Sequence, residues 1–298
     1  MDALSATGVG TIEFTSFVSP KWVPQMADAE EMVAGIRRTR RGLRGHLAQR
    51  GRASSAPRSI ATGSRLRPCS GWPATDTFMR KNTNRSVDER LEEMPSWTER
   101  YQALGMDWLD VGVMAAFGCN YEGDVSPRAV VGRAREGGAQ QATACGSRLG
   151  GIGLADTMGW ANPLQIKRLV GAVRDRWPSA PIKLHLHDTR ALAIANVVAA
   201  LEMGIEYFDS AVAGMGGCPF AAHKGAAGNV TTEDLVFLCQ EMGVETGVDL
   251  DADDRRRSAR RAGGGPRAAR QARQAAACSL SRPRESRRHH RRRSLTAR

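Results

Sequence analysis

Lysine is scarce in this chain. Only Lys21, Lys81, Lys167, Lys183 and Lys224 occur among 43 Lys and Arg in 298 residues. Acids are missing from Val33 to Thr75, a span that holds ten Arg. Lys and Arg normally share a soluble surface, so this segregation sets the Arg-rich blocks apart from the rest. The formal charge of +12 has a related origin. Residues 251–298 carry sixteen Arg against four acids, which accounts for all of it and leaves 1–250 balanced. That tail has no organised basic face with interleaved aromatics, which argues against nucleic-acid recognition. The six cysteines include no CxxC pair, so neither a zinc ribbon nor a disulfide framework is indicated. A reducing, cytoplasmic setting fits them best. No run approaches the roughly 20 apolar residues of a membrane span. The start lacks the basic-then-apolar pattern of a signal peptide, so no membrane partner is expected.

What is present is an alternation. From 151 to 243, strand, loop and helix repeat with apolar strands at 151–155, 182–187 and 207–212 and helices at 164–173, 192–203 and 233–242. Alternation of this kind indicates a parallel sheet. Further strands read near 9–14 and 111–117, and Ser86 is placed to cap a helix through Leu91, Trp97 and Tyr101. Polar, reactive residues end five separate strands. That favours an α/β fold of the (β/α)8 TIM-barrel type over a doubly wound sheet, whose ligands gather at one switch point.

The most informative stretch is Lys183–Thr189, with His185 and His187 two residues apart. Positions i and i+2 of a strand share a face, so both imidazoles can reach one ion while Leu184 and Leu186 pack behind. Nitrogen ligands with oxygen donors in a barrel mouth suit Mn²⁺, Mg²⁺ or Zn²⁺. Cys218, between Gly217 and Pro219, is either a small residue in a turn or a thiol on a lid that moves a proton. Asn229 is either a turn residue or an oxygen ligand. Glu13 and Asp156, at strand ends, suit a salt bridge as well as catalysis.

Four stretches carry a resemblance to a known family: TSFVSPKWVPQMAD at 15–28, FGCNYEG at 117–123, HLHDT at 185–189 and SAVAGMGGCPF at 210–220. In this order they resemble the motifs of hydroxymethylglutaryl-CoA lyases, over about 1–36, 76–133 and 151–250. The resemblance implies a (β/α)8 barrel that cleaves 3-hydroxy-3-methylglutaryl-CoA to acetyl-CoA and acetoacetate in leucine breakdown. It implies a divalent cation, Mg²⁺ or Mn²⁺, on His185, His187 and Asn229. It implies that Cys218 protonates the product enolate, with Glu13 and Asp156 near the acyl-CoA substrate. Self-association into a homodimer stays open beside the monomer. A related acyl-CoA lyase or aldolase with another 3-hydroxyacyl substrate is the alternative enzyme, and a non-catalytic basic protein that binds nucleic acid through its tail is the alternative of another class.

The chain departs from the family pattern in places. The family's first strand carries an adjacent Arg–Asp pair with no counterpart here. Residues 37–75, where the third and fourth strands belong, show no strand pattern. The expected organisation is therefore a barrel fragment at 1–36, an irregular Arg-rich insert at 37–75, barrel strands 5–8 at 76–250 and a disordered Arg-rich tail at 251–298. Five of eight strands are readable. The segments 37–75, part of 134–150 and 251–298 are expected to be out of frame and the start displaced, with weak metal binding and little lyase activity as the consequence.

Overall fold

Two parallel strands come first, β1 (Thr11–Ser16) and β2 (Gly42–His46), paired from Thr11–Gly42 to Ser16–His46 with a register shift between Glu13 and Ser16. The structure, a computed structural model, describes residues 7–16, 27–28, 31, 42–46, 69–103, 105, 107–144, 146–216 and 228–250. β3 (Cys69–Pro73) leads into helices α1 (Asp76–Thr83) and α2 (Val87–Ala103). β4 (Trp108–Met114) follows, then a small antiparallel pair, β5 (Gly118–Cys119) with β6 (Gly123–Asp124). Helix α3 (Pro127–Ala134) continues through a π-turn at Arg135–Ala139 into α4 (Gln140–Ala144). β7 (Arg148–Asp156), α5 (Pro163–Arg176), β8 (Ile182–Leu186), α6 (Ala193–Glu202), β9 (Tyr207–Asp209) and α7 (Thr232–Glu241) complete the alternation.

β3, β4, β7, β8 and β9 form one parallel sheet in that order. Each neighbour follows by a crossover through helix, the connection that parallel strands require. Along β4 half-buried and buried positions alternate, so one face is sealed and the other open. On the sealed face Val111, Val113, Ile152, Leu154, Leu184 and Leu186 lie under Val130, Ile166, Val170 and Val197 of the helices. Each such side chain contributes about 1.5–3 kcal/mol on burial. This is the wall of the barrel anticipated from the alternating pattern.

The sequence caps hold where they were read. Ser86 and Glu89 exchange bonds with each other's backbone N–H at the start of α2. Thr231 accepts from Asp234 N at the start of α7. Two expectations are corrected. Residues 37–75 do contain strands, since β2 pairs with β1 and β3 forms the edge of the main sheet against β4. Their sequences, GLRGH and CSGWP, alternate nothing, and β3 is held by its ladder and by the fully buried Trp72. The drift in composition around 137–150 also belongs to the fold. A Cβ on Gly137 would stand 2.1 Å from the Trp72 ring, and one on Gly138 would stand 2.1 Å from Val111. Only glycine lets that π-turn lie so close beneath the sheet. The tail 251–298 and most of 17–41 and 47–68 lie outside the described residues.

Candidate metal centre

β8 divides its side chains as the sequence requires. Leu184 and Leu186 are fully buried against the helices, while Lys183 and His185 face the other way. That open face borders a cavity of about 570 Å³, lined in part by His185, His187, Asp209 and Asn229. The imidazoles of His185 and His187 stand edge to face with centroids 5.0 Å apart. Both therefore look into one space at the carboxyl end of the sheet.

Each ring has its Nδ1 engaged. His187 Nδ1 donates to the backbone carbonyl of Asp156 at 2.9 Å. His185 Nδ1 lies 3.3 Å from Asp209 Oδ2. An Nδ1–H so directed leaves the Nε2 lone pair for an ion. Burial holds His187 below the ordinary histidine range, and the neighbouring His185 lowers it further, so the ring is kept neutral as a ligand must be.

Asn229 reaches the same place from 42 residues downstream. It forms an antiparallel bridge with His187, flanked by Asp188 N donating to Gly228 O and Val230 N donating to Leu186 O. Its Nδ2 donates to Met215 O at 3.2 Å. Its Oδ1 is shut off from solvent with no hydrogen-bond partner among the described residues. A buried carbonyl oxygen left bare costs about 1–3 kcal/mol, and a cation would satisfy it. The two imidazoles and this oxygen fit a divalent ion with oxygen-rich coordination. Among the described residues no group of three His, Cys, Asp or Glu is placed to hold a metal ion.

The other candidates fall differently. The Asp156 carboxylate does not line the cavity. It is buried and accepts from Trp160 N at 2.7 Å and Ala161 N at 3.1 Å, tying down the turn before the Asn162 capping box of α5. Burial pushes it up to about 6, against the two backbone donors that favour its charged form. Only its backbone carbonyl reaches the site, through His187. The alternation of β7 explains this: Ile152, Leu154 and Asp156 share the sealed face. Glu13 lies within β1, in register with Arg44, and its side chain is outside the described residues, as is the whole of Cys218. The reading of the sequence missed Asp209. An acid at the carboxyl end of a strand was the available signal. Burial works to raise Asp209, but the bond from His185 and the charge of Lys183 outweigh it and hold the carboxyl down at about 2.

Comparison with known proteins gives a consistent picture. The HMGL-like family matches residues 1–254. The cytoplasmic 3-hydroxy-3-methylglutaryl-CoA lyase of Mus musculus is 39% identical over 259 residues, covering 84% of this chain and 69% of that protein. The hydroxymethylglutaryl-CoA lyase structure from Pseudomonas aeruginosa is similar with a TM-score of 0.78 and 36% identity, over 94% of this chain and 89% of that one. An HMG-CoA lyase from Acinetobacter baumannii, solved with coenzyme A and 3-methylmalate, is similar with a TM-score of 0.72 and 36% identity, over 84% and 77% of the two chains.

Proposed function

This chain belongs to the HMGL-like family, and from that premise we propose that it is a carbon–carbon lyase that cleaves 3-hydroxy-3-methylglutaryl-CoA to acetyl-CoA and acetoacetate. The observation that carries the reading is the meeting of His185, His187 and the bare Asn229 Oδ1 on one cavity. The lyases it resembles, one of them solved with coenzyme A, supply the substrate class.

His185, His187 and Asn229 hold the divalent cation, Mg²⁺ or Mn²⁺. When bound, the ion supplies Lewis-acid polarisation of substrate oxygens. The chain's own residues do the rest. A general base takes the C3 hydroxyl proton and the C2–C3 bond breaks, leaving acetoacetate and the enolate of acetyl-CoA. The Cys218 thiol delivers a proton to that enolate carbon. Asp156 acts through His187, whose Nδ1–H its carbonyl receives. Glu13, on β1, is proposed to lie near the acyl-CoA substrate. The reaction belongs to leucine breakdown, and Cys69, Cys119 and Cys239, which are thiols and not halves of disulfides, suit a reducing cytoplasmic setting.

The test is direct. Purified chain with Mn²⁺ or Mg²⁺ is expected to release acetoacetate from 3-hydroxy-3-methylglutaryl-CoA, and both a chelator and His187→Ala are expected to abolish it. Equal release by wild type and His187→Ala would refute the reading.

A further inference from the structure

Lys183 has no part in the chemistry above, yet it is one of only five lysines in the chain and it sits on the cavity face of β8. Its Nζ lies 3.1 Å from Asp209 Oδ2, the same oxygen that His185 Nδ1 approaches at 3.3 Å. The strand register makes this triangle. His185 pairs with Asp209 across β8 and β9, and Lys183 pairs with Tyr207, so Lys183 and Asp209 are diagonal neighbours on one face. On its other side the register partner of Lys183 is Gly153, which has no side chain. Lys183 Cε lies 3.8 Å from where a Cβ on Gly153 would be, so the lysine stem runs over that opening and is free to lean towards Asp209.

We propose that Lys183 is a positioning residue: it anchors Asp209, and Asp209 in turn holds His185 with Nδ1 protonated and Nε2 presented to the cavity. A carboxylate with one partner can rotate between oxygens. A carboxylate pinned by an ammonium on the strand that carries the histidine cannot turn without breaking an ion pair. Partners behind a metal-bound histidine fix its tautomer and orientation, and their loss lowers metal affinity by about 10–100-fold. The inference rests on the metal-centre reading for its consequence, but its geometry is independent of the ion.

The sign of the effect separates positioning from charge alone. A lysine that merely sits near a cation repels it, so removing that lysine tightens binding. A lysine that positions the ligand does the opposite. In the full chain, Mn²⁺ affinity is read from the free-ion signal in electron paramagnetic resonance, and the His185 tautomer from nitrogen-15 NMR of the metal-free protein. Lys183→Met and Asp209→Asn are each expected to weaken Mn²⁺ binding at least about tenfold. Because both act along one chain of contacts, the double variant is expected to be no weaker than the worse single. Lys183→Arg, which keeps the charge and the bond, is expected to restore most of the affinity. The Nδ1–H signal of His185 is expected to give way to a mixture of tautomers in Lys183→Met. Unchanged or tighter Mn²⁺ binding in Lys183→Met overturns the proposal, as do independent, additive losses. If the wild type itself binds no Mn²⁺, the metal reading fails and the tautomer decides alone: a shift in Lys183→Met upholds the positioning role, and an unchanged ring refutes it.

Discussion

Asn229 donates its side-chain Nδ2 to the backbone oxygen of Met215 at 3.2 Å, and this bond decides which end of the amide is left without a partner. With Nδ2 engaged on Met215, Oδ1 is the atom left over, buried and bare among the described residues. Met215 lies three residues before Cys218 in the sequence.

Removing that oxygen should remove the ion. Asn229→Ala is expected to weaken Mn²⁺ binding by more than the roughly 10–100-fold that follows loss of a partner behind a ligand. The melting temperature of the metal-free chain should change little, because loss of the bond to Met215 O offsets removal of the unsatisfied oxygen. Titration calorimetry and a thermal melt check the two halves, and unchanged affinity would remove Asn229 from the ligand set.

The glycines at this turn are there for space. Gly216 adopts φ +85, and a Cβ on it would stand 3.0 Å from Asn229 Nδ2. Gly216→Ala should therefore cost about 1–2 kcal/mol in backbone strain and push the amide off Met215. The expected result is weaker Mn²⁺ binding without loss of the sheet, read as lowered affinity with an unchanged far-ultraviolet circular dichroism spectrum.

Asp156 should behave as a structural residue with a long reach. Asp156→Ala leaves Trp160 N and Ala161 N, and so the turn into α5, without their acceptors. Each orphaned buried donor costs about 1–3 kcal/mol, so denaturant unfolding is expected to show a loss of about 2 kcal/mol or more. A loss of cleavage with full stability would instead put the carboxylate in the chemistry.

These contrasts mark how far the sequence could be read. His185 and His187 were legible because strand geometry forces i and i+2 to one face, and Leu184 and Leu186 confirm it by their burial. The alternation beyond residue 150 gave the parallel sheet for the same reason. The surroundings of Asp156 were not legible from its place at the strand's end, because the parity of β7 puts it with Ile152 and Leu154. β3 was illegible because four of its five residues lack a large apolar side chain, and what holds it is Trp72 and a ladder to β4 that no local pattern encodes. The Lys183–Asp209–His185 triangle spans two strands 24 residues apart, a relationship set by register and therefore visible only once the strands are paired.

Metal binding and proton transfer should come apart at Cys218. An ion that binds the folded chain and not the unfolded one stabilises it, by about 2.7 kcal/mol at a hundred times its dissociation constant. For a chain of this size that is a rise in melting temperature of roughly 5–10 °C, at about 2–4 °C per kcal/mol. His187→Ala should lose the rise together with acetoacetate release, since one ligand serves both. Cys218→Ser should keep the rise in full, because the thiol is no part of the set formed by His185, His187 and Asn229. Its cleavage rate should nevertheless fall by about 100-fold or more, the usual worth of a placed proton donor, since serine is far the weaker acid. Thermal melts with and without Mn²⁺, run beside an acetoacetate assay on the same preparations, give both numbers. If Cys218→Ser cleaves as fast as the wild type, the proton reaches the enolate from elsewhere. If it loses the thermal rise as well, the loop shapes the metal centre, and the bond from Asn229 to Met215 is the route by which it does so.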